Sequence, residues 1–127
     1  VATDRLDAQY PSVGAALNAV QSARLVEMAR NVATATVAEC GIAWDCQRAD
    51  DPVALVASLD DEAWNARDKG DDAAYDRAFR RARAADTWAR AMAVADRDSA
   101  AEVLYEAVHA LGGDVVAEDT VIHLMRS

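Results

Sequence analysis

Apolar residues recur along the chain at the three- and four-residue spacing of amphipathic helices. Leu25, Met28, Ala29, Val32, Ala33, Thr36, Val37 and Cys40 share one broad arc of a helical wheel, with Arg24, Glu27, Arg30, Asn31 and Thr34 opposite. Ser12 stands ahead of this segment and Gly41 behind it, so the pattern predicts one long helix over 13–40. A second arc holds Tyr75, Ala78, Phe79, Ala82, Ala85, Ala89, Met92 and Ala93, with Trp88 on its border, and predicts a long helix over 72–95. A third, Ala101, Leu104, Val108 and Leu111, predicts a helix capped by Asp98 or Ser99 and stopped at Gly112-Gly113.

Aspartate pairs at 50–51, 60–61 and 71–72 each precede a helix-forming run. An aspartate there accepts hydrogen bonds from free backbone N–H groups and complements the positive end of the helix dipole. The pairs predict two short helices, the first with Pro52 at its opening position, before the long one at 72. Residues 3–10 read as a short helix ending before Pro11. In the tail Asp114 is placed to cap a last helix, although the β-branched TVIHLM run also suits a short strand; helix is the expectation. Together the pattern predicts an all-α fold, a compact helical bundle of five or six helices in a single domain over 1–127, two of the helices long (about 13–40 and 72–95).

Composition sharpens this picture. Of 127 residues 53% are hydrophobic, yet 31 are alanine, which favours helices and lets them approach closely but fills little core volume. The net charge of −9 argues against general nucleic-acid binding and against anionic membrane surfaces. The opening VATDRLD is too polar for a secretory signal, and no apolar run approaches the roughly 20 residues of a membrane span, so the chain is expected to be soluble and cytoplasmic.

Candidate chemistry is sparse. In CGIAWDC the two cysteines are five residues apart, which is neither a redox nor a zinc spacing. Cys40 is expected as a buried small hydrophobe, Cys46 as an incidental loop thiol, and Ile42 and Trp44 as anchors folded onto the core. Glu106-x-x-His109 has the spacing of di-iron bundles but occurs once. With Glu102 it reads as a solvated stripe opposite Leu104 and Val108, with His109 favoured in its cationic form at the helix C-terminus. No phosphate loop, nucleophile elbow or metal-ligand set is present, so no cofactor and no metal are expected.

Asp86 falls inside the apolar arc of its helix, where Arg83 and Arg90 are spaced to pair with it. Arg77, Arg80 and Arg81 form a basic stripe. Residues 45–72, with nine acids against three bases and Asp60, Asp61 and Glu62 at their centre, form its complement, in the same chain or in a second copy. The leading functional expectation is therefore a small acidic protein that binds another protein, a basic one for preference, as an inhibitor, immunity-type protein or adaptor, with self-association as a variant. The alternative is a ligand-binding or enzymatic bundle, with a pocket lined by Trp44, Trp64, Trp88 and Tyr105 and served by Asp86 or His109. A weaker alternative is a helix-turn-helix regulator using the Arg77–Arg83 helix.

Overall fold

A computed structural model describes residues 1–127 and contains eight α-helices, a single 3-10 turn (Ser22–Arg24) and no strand. The helices are α1 (Ala2–Gln9), α2 (Pro11–Asn18), α3 (Leu25–Glu39), α4 (Ala43–Arg48), α5 (Pro52–Asp68), α6 (Asp72–Ala91), α7 (Arg97–Ala110) and α8 (Val115–Met125). The all-α class and the compact bundle stand, and the tail is helical. The count is higher than the five or six expected.

Local signals set most of the boundaries. Asp51, Asp71 and Asp114 each accept N–H bonds from the first turn they precede, and Pro52 sits inside the start of α5. Gly41, at φ 74°, ends α3 in a Schellman turn: its N–H reaches the Ala38 carbonyl, and the Ile42 N–H reaches Val37. Ile42 and Val37 then share one apolar cluster, the side-chain contact that accompanies this turn.

Four boundaries depart from the expectation. The segment 13–40 is two helices joined by the 3-10 turn, because the Arg97 guanidinium caps the carbonyls of Leu17 and Val20 from the far end of the chain. Asp60-Asp61 starts no helix. Leu59 and Ala63 continue one buried face, with no glycine or proline between them, so α5 runs through. The helix from 72 stops at Ala91, short of 95. Asp96 caps α7, in place of Asp98 or Ser99, through a capping box in which Ser99 holds the Asp96 N–H in return.

The central helix is α7, with eight of its 14 residues buried. Around it lie α1, α2, α3, α6 and α8. Its Leu104, Ala107 and Val108 join Leu6, Val13, Leu17, Met28, Val32 and Val121 in the largest apolar cluster. A second cluster, built on Val37, Ile42, Cys46, Leu59 and the alanines of α6, seats α4 and the inner face of α5. Between α3, α6 and α7 the core is Ala29, Ala33, Ala91 and Val103, small side chains that let the helices pack closely. α5 packs chiefly against α6. No helix is long and apolar enough to cross a membrane.

Candidate functional site

Two charged features flank α6, one inside the bundle and one on its outer surface. The inner one starts from Arg83, whose side chain is only 20% exposed. Its terminal nitrogens donate to Asp60 of α5 at 2.9 Å and to Glu106 of α7 at 3.1 Å, with Asp86 at 3.7 Å, while its buried Nε meets no acceptor. Asp86 also accepts from Arg90 Nε at 2.9 Å. Arg90 lies 3.5 Å from Glu102, which accepts from Arg5 of α1 at 2.8 Å. The result is a continuous chain of ion pairs through α5, α6, α7 and α1.

Glu106 is the buried member of this chain. Burial pushes its pKa up, the neighbouring Asp86 carboxylate adds to that, and Arg83 and Arg90 oppose it. The solvated stripe expected on α7 is therefore not one. A wheel with one wet side suits a helix at the bundle's edge, and α7 is enclosed on several sides. His109 is half-buried rather than solvated. Its Nε2 lies 3.0 Å from the Tyr10 hydroxyl, its ring packs at 4.6 Å on Tyr105, and burial, with the Arg83 and Arg5 cations, lowers its pKa. The neutral imidazole is thus favoured over the cation expected there.

The four aromatics expected to line one pocket are dispersed. Trp44 and Trp64 are 65% and 58% exposed, and each indole is covered by an arginine of its own helix, Arg48 at 4.4 Å and Arg67 at 5.5 Å. Trp88 borders a shallow cleft with Ala33, Ala91 and Met92, and Tyr105 lies against Tyr10, His109 and Arg5 on the α1 side. Of three surface clefts, none brings two of these four together, and all three are open to solvent. Asp86 is bonded to Arg83 and Arg90 alone. The cysteines exchange their expected places. Cys46 is buried at 3% exposure, its thiol pushed up to about 11 by burial, whereas Cys40 is partly exposed and donates to the Ala110 carbonyl. Trp44 points outward because Ile42 and Cys46 take the inner face of α4. No group of three or more His, Cys, Asp or Glu side chains is arranged to hold a metal ion.

The outer feature is an exposed strip along α5. Val53, 71% exposed, Ala57 and Trp64 fall within roughly 40° of one another at 3.6 residues per turn, forming an exposed apolar stripe. Asp61 and Asp68 lie beside it, exposed, and form no ion pair; nor do Glu62, Asp45, Asp50 and Asp72. Of this acidic region only Asp60 is paired, and inward, to Arg83. The expected complement within the chain does not form: Arg80 pairs with Asp76 on its own helix, and Arg77 and Arg81 pair with no carboxylate. Nothing in the sequence marked the α5 stripe, because its wheel carries apolar residues on both faces and only the tertiary placement shows which one is buried. Comparison with protein-family models, with curated proteins and with solved structures finds no match to this chain.

Proposed function

We propose that the protein acts by binding another protein, a basic one, on the exposed strip of α5, as an inhibitor, immunity-type protein or adaptor does. One observation carries this reading: the exposed Val53–Ala57–Trp64 stripe bordered by carboxylates that pair with nothing in the chain. Exposed apolar surface rimmed by charge is the usual anatomy of a docking site, with an aromatic anchor at its centre. Arg67 lies over both Trp64 and Tyr75, so the indole is held in place before any partner arrives. The residues from 45 to 72 carry a net −6 of the chain's −9, which steers a cationic partner to this side.

The test places a photocrosslinking residue at Ala57 and, as control, at Arg30 on the exposed side of α3, in native lysate. The expected result is a crosslinked species at 57 alone, lost at high salt and in Trp64→Ser. Crosslinking that is equal at both positions, or indifferent to Trp64, refutes the reading. A species equal to two copies of this chain would replace the basic partner by self-association.

A further inference from the structure

The stripe of arginines on α6 borders a cleft that the protein–protein reading does not use. α8 packs on α2, α3 and α7, while α6 packs on α5, α7 and α3, so the two run past each other across a gap. The gap is a cleft of about 540 Å³, within the roughly 300–1,000 Å³ of small-molecule sites. Its depth has a simple cause: the bordering positions on α3, α7 and α8 are Ala35, Ala110 and Ala117, whose single methyl groups leave the space between helices unfilled. Leu111, Val116 and Leu124 supply further apolar wall, and Val116 is 72% exposed.

The α6 side of the cleft is cationic. Arg77, Arg80 and Arg81 line it, against one carboxylate, Glu39. Arg80 is partly engaged, 3.4 Å from Asp76. Arg77 and Arg81 have no carboxylate within ion-pair distance, in a chain with 22 acids and 13 bases. One side of the cleft thus offers guanidinium donors and the other offers methyl and isopropyl groups.

We infer that this cleft binds a small amphipathic anion, an apolar chain or ring ending in a carboxylate or phosphate monoester. The oxyanion head sits on Arg77 and Arg81, whose planar forks match either group, and the apolar body lies over Ala110, Ala117 and Val116. A chain of net charge −9 repels anions at long range, so the selectivity comes from this local pair of unpaired cations rather than from the overall field.

The test is calorimetric titration with decanoate, decyl phosphate and the neutral 1-decanol, with amide chemical shifts to locate binding. Expected is saturable binding of one equivalent of either anion, with the stronger of the two naming the head group. The neutral alcohol should bind roughly tenfold or more weakly, and the R77Q/R81Q variant should lose a similar factor. Shifts should concentrate at 35, 110, 117 and 120. Thr120→Trp, at an exposed lining position, should block the cleft while keeping every arginine. Equal affinity in wild type and R77Q/R81Q, shifts confined to other surfaces, or no binding of either anion overturns the inference. So does a dimer that R77Q/R81Q dissolves without any anion binding, since a second copy's acidic segment would then be the occupant.

Discussion

Replacing Arg83 by Met should cost the fold about 3 kcal/mol at neutral pH. Arg83 holds Glu106 at 3.1 Å and Asp60 at 2.9 Å and stands 3.7 Å from Asp86. Removing one partner of a buried ion pair leaves an uncompensated charge, typically worth about 3–5 kcal/mol. The lower end applies because the Asp60 side chain is 40% exposed and recovers its hydration, and Met restores part of the apolar stem. Glu106 has no such recourse at 8% exposure, with Asp86 still beside it. A second change, Glu106→Leu, removes the orphaned charge, so R83M/E106L should be more stable than R83M by about 2 kcal/mol. Urea unfolding followed by circular dichroism reads both. With a slope of roughly 1.5 kcal/mol per molar, R83M should lower the midpoint by about 2 M. The acid dependence supplies a second readout. A carboxyl whose folded pKa lies above its unfolded value gives stability that is full below the ordinary value of 4.5 and lost as pH rises through the folded pKa. Deleting the opposing Arg83 cation raises Glu106 further, so the R83M deficit should shrink as pH falls from neutral toward 5. A deficit under about 1 kcal/mol, or a double variant no more stable than R83M, refutes this account of the network.

Four further outcomes follow from the structure. His109 has its pKa lowered below 6.5, so its contribution is full above that value and lost as pH falls through the folded pKa. His109→Gln should flatten the acid limb of the stability–pH curve, measured by thermal melts. Asp114→Ala removes the acceptor 2.9 Å from the Ala117 N–H and should cost about 1 kcal/mol in the same urea assay, whereas Trp64→Ser on the exposed stripe should change stability by no more than about 0.5 kcal/mol. A thiol reagent at pH 8 should react slowly with Cys46, whose thiol is pushed up to about 11 and buried, and at once with both cysteines after denaturation.

What could be read from the sequence was what neighbours in the sequence decide. Asp51-Pro52, Asp71, Asp114 and Gly41 act on backbone groups within a turn of themselves, and each does in the structure what its position implied. The break after Asn18 was illegible because its cause, Arg97, bonds the Leu17 carbonyl from 80 residues away. Glu106 was misplaced because a helical wheel assumes one dry face, and α7 is buried on several. Trp44 and Trp64 were misplaced for the converse reason. α4 and α5 lie at the margin of the bundle, where Ile42, Cys46, Leu59 and Ala63 suffice to bury the inner faces and the indoles are left outside. The pairing of Asp86 with Arg83 and Arg90 needed only helical spacing; that Arg83 also gathers Asp60 and Glu106 needed the fold.

The contacts of α1 and α2 have a consequence for how the molecule is made. The Thr3 N–H is taken by Asp98, Arg5 by Glu102, Tyr10 faces His109 and Ser12 donates to Glu118, separations of 95 to 106 residues. During synthesis the first two helices emerge long before any of these partners exists. Both are only eight residues long, too short to persist alone. Leu6, Val13 and Leu17 must therefore stay exposed to solvent or to a chaperone until α7 and α8 leave the ribosome. The largest apolar cluster is thus completed only once α7 and α8 have been made, and a chain stalled before residue 97 should be handled by the cell as unfolded, whatever helix its middle has already formed.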